Sequence, residues 1–291
     1  MTRKRNSYDV LRQSLVTYDD RLVMAPRRRG AAGGTMTTPQ PAARSISPPP
    51  TWAQRPASLA RAVTAELVGR IVRGEHPPGT PLPPEPALCE TFAVSRTVVR
   101  EAVKVLQEKG LVQVRQGSGT MVTAPAAWNM LDEQVLTASI AQDESLEILD
   151  DLVVTRRLLE SDMANVAARL ATPEVVDRLR TLVDRMDELV DDHVTYAEHD
   201  RAFHDVIMQS SGNRIARGVV RALESQVVNT ARYMGHPERA MCVASNRGHR
   251  NIYERIAAHD PGGAAEAMFT HITEAWLVRR SAPGDPVRLD R

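Results

Sequence analysis

Apolar side chains recur every three or four positions along most of the chain after residue 58, which is the spacing of helices that bury one face. The clearest case lies between residues 95 and 110. One face of that segment is apolar and carries Val98, Ala102, Val105 and Leu106. Another face repeats a basic residue every four positions: Arg96, Arg100 and Lys104. The pattern predicts an amphipathic helix whose basic side chains point together.

The ends of this helix carry residues that favour helix termini. Ser95 is a good N-cap, and Gly110 suits the position just after the last turn. The amides of the first turn add partial positive charge beside Arg96 and Arg100, which favours a phosphate group there. A solvated basic face on an ordinary helix is the alternative interpretation of the same pattern.

Other elements flank the basic helix. A first helix begins after Ser58 and ends at Gly74, and its apolar stripe consists of Leu59, Val63, Leu67 and Ile71. A short helix and a tight turn follow from Leu82. After the basic helix, alternating residues at 112–115 and 120–122 predict a β-hairpin with a glycine-rich tip at 116–119. A basic helix beside such a wing indicates DNA binding, with these candidate contacts: Ser95, Arg96, Thr97, Arg100, Gln116, Gly117 and Gly119.

From about residue 143 to residue 280 the spacing predicts helices throughout and no strand. The segments lie near 144–171, 174–192, 195–210, 213–235, 238–259 and 262–280. Breaker residues such as Thr172-Pro173 and Asp260-Pro261-Gly262 separate them. Low aromatic content with many Val, Leu and Ala residues favours a compact antiparallel bundle.

The charge is distributed unevenly, although the formal net charge is only +1. Residues 1–57 carry ten basic and three acidic side chains, and residues 126–291 carry nineteen basic and twenty-seven acidic ones. The acidic part would be repelled by DNA, so we expect it to have another task.

Two isolated cysteines, Cys89 and Cys242, form no ligand cluster or disulfide framework, which fits a reducing cytoplasm. No segment is apolar enough to predict a transmembrane helix, and we expect no membrane partner. The arginines at 27–29 are not followed by an apolar stretch, so export is not predicted. Met24 and Met36 are possible alternative starts to Met1.

The segment from about Ala57 to Thr123 resembles the GntR family of bacterial transcription regulators, through the run VSRTVVREAVKVLQEKGLVQVRQGSGTMV and the preceding IVRGEHPPGTPLPPEPAL. The resemblance implies a winged helix-turn-helix. Its recognition helix would read the major groove, and its wing would reach the neighbouring minor groove.

The chain departs from the family pattern at two places. Pro84-Glu85-Pro86 stands where Ser-Glu-Arg is usual, so a basic residue that commonly touches DNA is absent. Ser118 stands where the wing often has Lys or Arg. Prolines fit a first helical turn, so we expect the fold to persist and operator preference to differ.

The C-terminal half resembles the FCD ligand-binding domain of the FadR-like subfamily. The match runs through residues 154–160 and 200–204, then His249 and His271. The resemblance implies a metal site formed by Asp200, His204, His249 and His271. Asp200 and His204 are one helical turn apart, and the apolar neighbours of the other two histidines predict that these point inward. Such ligands suit Zn²⁺ best, with Ni²⁺ or Mn²⁺ as alternatives.

Arg156 matches the basic residue that members of the subfamily use to hold an effector carboxylate, a task that suits the guanidinium fork. An ion pair with Glu160 on the same helix is the alternative interpretation. Arg157 is the candidate if the register is shifted by one, and Asn229 and Arg232 are weaker candidates. We treat His193, His199, His236 and His259 as surface residues.

The predicted fold is mainly α: a winged helix-turn-helix of three helices and a small β-wing, followed by an all-α antiparallel bundle. The expected divisions are a disordered basic tail (1–57), the DNA-binding domain (58–125), a linker (126–143), the effector and metal domain (144–280) and a C-terminal tail (281–291).

The predicted function is that of a cytoplasmic, homodimeric DNA-binding regulator, not an enzyme. It would be a repressor on a palindromic operator, released by a small carboxylate metabolite. A metal-dependent enzyme acting on an organic acid and an effector-independent DNA-binding protein remain as alternatives. The sequence does not name the effector, the operator or the native metal.

Overall fold

The computed structural model describes residues 54–227, Tyr233 and residues 238–280, with side chains from residue 58 onward. Residues 1–53 of the predicted N-terminal tail, the C-terminal tail, Asn229, Arg232 and His236 therefore lie outside the described residues. Residues 54–57 belong to the first helix, which corrects the prediction that they form part of a disordered tail. Within them, no helix is both long and apolar enough to cross a membrane.

Three helices and a hairpin build the N-terminal part. They are α1 (Gln54–Val72), α2 (Glu85–Phe92), α3 (Arg96–Glu108), β1 (Val112–Arg115) and β2 (Gly119–Val122). The two strands pair antiparallel, with Val112 opposite Val122 and Arg115 opposite Gly119. Buried residues of all three helices and both strands share one apolar core. This arrangement confirms the predicted winged helix-turn-helix.

Local signals account for the ends of these helices. The hydroxyl of Ser95 accepts from the amide of Val98, as expected of an N-cap. Pro84 is the N-cap of α2 and Pro86 lies in its first turn, where the missing amide hydrogen costs nothing. Gly110 has a φ of 76°, and a Cβ there would lie 2.2 Å from the carbonyl oxygen of Ala127. The backbone therefore turns at Gly110 in a conformation that favours glycine.

The C-terminal part consists of six described helices. They are α5 (Glu147–Leu170), α6 (Pro173–Glu188), α7 (His193–Ser210), α8 (Arg214–Val227), α9 (Arg239–Ala257) and α10 (Pro261–Arg280). Helix α5 packs against α10, α7, α8 and α9, and α9 also packs against α6 and α10. The predicted all-α bundle is confirmed.

A further helix, α4 (Glu133–Gln142), lies in the stretch that the sequence pattern leaves as a linker. Asp132 caps it by accepting from the amides of Gln134 and Val135. Val135 belongs to the N-terminal core, whereas Leu136 and Ile140 belong to the core of the bundle. Helix α4 contacts α1 on one side and α5 and α8 on the other. It is a packed bridge between the two cores.

A buried ion pair joins the start of α5 to the end of α10. The carboxylate of Asp150 accepts from Nε and Nη2 of Arg280, both at 2.8 Å, and from Nε1 of Trp276 at 2.7 Å. Arg280 also donates to the carbonyl of Ser145 at 2.9 Å. Both charges are therefore well hydrogen-bonded, which is the condition under which a buried pair is tolerated.

We expect Asp150→Ala to lower the free energy of unfolding by about 3–5 kcal/mol, because it leaves the Arg280 guanidinium buried without its counter-charge. Urea denaturation of the purified protein measures this change. The matched control is Asp177→Ala, which breaks an exposed pair with Arg180 in α6 and should cost at most about 1 kcal/mol. Equal losses in the two variants would contradict a structural role for the buried pair.

Candidate metal centre and nucleic-acid interface

Three helices bring the four predicted metal ligands together. Asp200 and His204 lie one turn apart on α7, His249 lies on α9 and His271 on α10. One ligand atom from each residue can be chosen so that all four lie within 4.8 Å of one another. The three imidazoles are buried, and the Asp200 side chain is 25 % exposed. Asp200 is thus the one of the four residues with the most access to solvent.

The pKa shifts of three of the four residues, His249, His271 and Asp200, favour the protonation states that bind a metal ion. Burial lowers the pKa of His249 despite the neighbouring carboxylate. Burial, with the charges of the other two histidines, lowers the pKa of His271. Burial would raise the pKa of Asp200, but the three imidazoles hold it well below its usual range. Neutral imidazole and ionised carboxylate are the forms that bind metal ions.

His249 gives a direct test of whether a metal ion fits. Its Nε2 atom lies 3.1 Å from Oδ1 of Asp200, yet neither ring nitrogen makes a hydrogen bond of acceptable geometry. A fully buried imidazole without hydrogen bonds is costly unless something else coordinates it. The donor set of three imidazoles and one carboxylate therefore fits a divalent transition metal ion.

A carboxylate behind the cluster orients His204. Nδ1 of His204 donates to Oε2 of Glu160 on α5 at 2.6 Å, which leaves Nε2 for the cluster. Burial would raise the pKa of Glu160, but Arg156 and His204 lower it to about 2. Burial would lower the pKa of His204, but Glu160 and Asp200 raise it. The two carboxylates thus stabilise positive charge at this position.

Arg156 is held in the same network. Its Nε donates to Oε1 of Glu160 at 2.8 Å, its Nη2 lies 2.7 Å from Oε1 of Glu224, and its Nη1 donates to the hydroxyl of Tyr233. The ion pair with Glu160, one of the two interpretations of the sequence, is therefore present. Arg157 is also buried, but its guanidinium carbon lies 4.6 Å from the ring centroid of Phe269 instead.

Several contacts of this site carry no signal in the sequence pattern. Glu160 and His204 meet although they are 44 positions apart, and Glu224 and Tyr233 reach Arg156 from later segments. The sequence pattern also gives no role to Gly248, where a Cβ would lie 2.5 Å from Nδ1 of His271. The absence of a side chain at Gly248 lets α9 and α10 approach closely enough for both histidines to meet.

Of the described histidines that the sequence predicts to lie at the surface, His259 is exposed, whereas His193 and His199 are half-buried. Nδ1 of His199 and Nδ1 of His259 lie 2.8 and 2.9 Å from backbone carbonyl oxygens of Thr195 and Ala168.

The predicted DNA-contacting residues are exposed. They are Ser95, Arg96, Thr97 and Arg100 at the start of α3, and Gln116, Gly117 and Gly119 at the hairpin tip. Gly117 and Gly119 have φ values of 80° and 81°, and a Cβ at either would meet no atom within 4 Å. Nε of Arg100 donates to Oε2 of Glu85 at 3.0 Å, but the arginine side chain remains 68 % exposed. It is free to exchange that carboxylate for a phosphate.

Comparisons with known proteins agree with this arrangement. Residues 59–122 match the family of bacterial regulatory proteins called gntR, and residues 151–274 match the FCD domain. An uncharacterised HTH-type transcriptional regulator of Escherichia coli, YieP, is 38 % identical over 54 % of this chain and 69 % of its own length. The galactonate operon transcriptional repressor of E. coli is 28 % identical, over 73 % of this chain and 93 % of its own. The transcriptional repressor NanR of an Enterobacter species is 31 % identical, over 74 % and 82 %.

We expect Gly248→Ala to weaken zinc binding by about 10–100-fold, because the new methyl group would push the buried His271 ring out of the cluster. Competition of the purified protein with a chromogenic chelator measures the affinity. The control is Gly218→Ala on α8, where a Cβ meets nothing within 4 Å and zinc affinity should not change. Wild-type affinity in Gly248→Ala would show that His271 is not needed in this position.

Proposed function

The chain belongs to the GntR family of bacterial regulatory proteins and is a DNA-binding transcriptional regulator, and we propose that it is a homodimeric repressor released from a palindromic operator by a small carboxylate. The relatives are named as regulators, which confirms that the chain is not an enzyme. The effector part of this proposal rests on the buried contacts that run from Arg156 through Glu160 to His204. These contacts join a guanidinium that can bind an anion to the four candidate metal ligands.

Repression is supported by two relatives that are named as repressors. The dimer is supported by size, because one recognition helix and one wing bury little DNA surface. Two copies on an inverted repeat double the specific contacts. A cytoplasmic location follows from the access to DNA that a regulator needs, and the free thiols of Cys89 and Cys242 are compatible with it.

The effector part rests on two anion-binding groups in one region of the bundle. A divalent transition metal ion would be held by Asp200, His204, His249 and His271, and zinc is the best match to these ligands. An oxygen atom of the effector would complete the coordination of the bound ion. Arg156 would bind a carboxylate of the same molecule. Two such contacts select a small acid over a neutral analogue. One relative is named for the galactonate operon, and galactonate is an acid of this kind.

The DNA interface predicts that Arg96→Ala and Arg100→Ala each cost about 1–3 kcal/mol of operator affinity, because each removes a charged contact to a base or phosphate. Affinity is measured by fluorescence anisotropy on an operator selected from random duplexes, at several salt concentrations. The wild type should show a steep salt dependence that is reduced in both variants. Arg180→Ala removes the same charge from an exposed position on α6 and should bind DNA normally. An unchanged affinity in the Arg96→Ala, Arg100→Ala double variant would exclude this interface.

The effector site predicts separate losses from two variants. His204→Ala should lose both the metal and the response to acid, because it removes a ligand. Arg156→Lys should retain the metal and lose the response, because it keeps the charge but not the two-donor fork. Elemental analysis and operator release by galactonate, with galactose as the neutral comparison, test both. Full acid response in metal-free wild-type protein would exclude the metal from effector binding.

A further inference from the structure

Two carboxylates of the chain itself surround Arg156, and they differ in how firmly they are held. Glu160 is fully buried and also accepts from His204. Glu224 reaches Arg156 from α8, its side chain is 16 % exposed, and its Oε1 lies 2.7 Å from Nη2. Glu224 is therefore the carboxylate that an incoming anion can replace without breaking the contact of Glu160 with His204, which leads to the candidate metal ligands.

The pKa of Glu224 agrees with a weaker interaction between this carboxylate and Arg156. Burial raises the pKa of Glu224, and the charges of Glu160 and Asp200 act in the same direction, whereas Arg156 and His204 lower it. The net direction is upward, opposite to that of Glu160. One guanidinium thus shares its charge between two carboxylates, and the second of them gains less from it.

The helix that carries Glu224 touches the bridge between the two cores. Helix α8 packs against α4, and Nε2 of Gln226 donates to the carbonyl of Leu131 at 3.3 Å, just before α4 begins. Helix α4 supplies Val135 to the N-terminal core and Leu136 to the bundle core. A movement of the end of α8 would therefore also displace α4, which joins the DNA-binding part to the bundle.

We propose that Glu224 is a built-in competitor of the effector, filling the carboxylate position on Arg156 until an acid displaces it and frees the end of α8 beside α4. This inference rests on the proposed function, in which Arg156 binds the effector carboxylate. The exchange replaces one anion by another, so Arg156 still has two anionic partners afterwards, Glu160 and the acid. A neutral molecule offers no such replacement, and the competitor therefore sharpens the preference for acids.

Titration of the purified full-length protein with acetate, the simplest carboxylate, tests the competition. Acetamide serves as the neutral isostere, and chloride keeps the ionic strength constant. Glu224→Gln removes the competing charge and retains the shape, so acetate should bind on the order of tenfold more tightly than to the wild type. Glu254→Gln, which removes an exposed carboxylate from α9, should bind acetate as the wild type does. Arg156→Lys should reduce binding in either background.

Hydrogen–deuterium exchange supplies a second measurement that does not depend on affinity. In the wild type, acetate should speed exchange of the amides at 223–227, and in Glu224→Gln these amides should already exchange faster without acetate. Equal acetate affinity in wild type and Glu224→Gln, with binding still dependent on Arg156, would overturn the competitor and leave the proposed effector site standing. Acetate binding that is unchanged in Arg156→Lys, or no acetate binding in any variant, would overturn both the competitor and the proposed effector site.

Discussion

The bundle is organised by the need to compensate charge that has been taken out of water. Arg156, Glu160 and His204 are all buried, and each is tolerable only because the next one neutralises it. The chain of contacts crosses from α5 to α7, and the ligand cluster continues it to α9 and α10. Helices α5 and α7 cannot shift independently without breaking the buried contact between Glu160 and His204. The region that this constraint fixes is also the one in which we propose the cation and anion sites.

Helix α4 packs against both cores, so the packing of the bundle bears on the position of the DNA-binding part. A flexible linker would let the N-terminal part move without regard to the bundle. Here consecutive residues, Val135 and Leu136, are buried in different cores, so a rotation of α4 that suits one core disturbs the other. Ligand binding can change DNA affinity only by favouring one arrangement over another. A short helix that packs against two cores, as α4 does, is suited to switching between a small number of distinct packing arrangements.

Periodicity predicts most of the helices and the wing, because these elements bury one face, and residues such as Ser95 and Gly110 mark some of their ends. It did not predict α4, whose apolar residues face two cores and so form no single stripe. The spacing of Asp200 and His204 placed them on one face, but their meeting with His249 and His271 came only from the resemblance to a family. The contacts of Glu160 with His204 and of Gly248 with His271 depend on helix packing, which local sequence patterns do not encode.

The acidity of the C-terminal part limits how an acid can be recognised there. Residues 126–291 carry nineteen basic and twenty-seven acidic side chains, so the long-range field opposes the approach of an anion. That field is screened within about 10 Å at moderate salt, whereas a contact inside the bundle is screened much less. In the proposed function, recognition of the acid would therefore come from desolvated groups at short range, such as Arg156 and the four candidate metal ligands. The acidic residues of this part meanwhile disfavour phosphate, which agrees with the proposed DNA contacts at the basic start of α3 and at the wing.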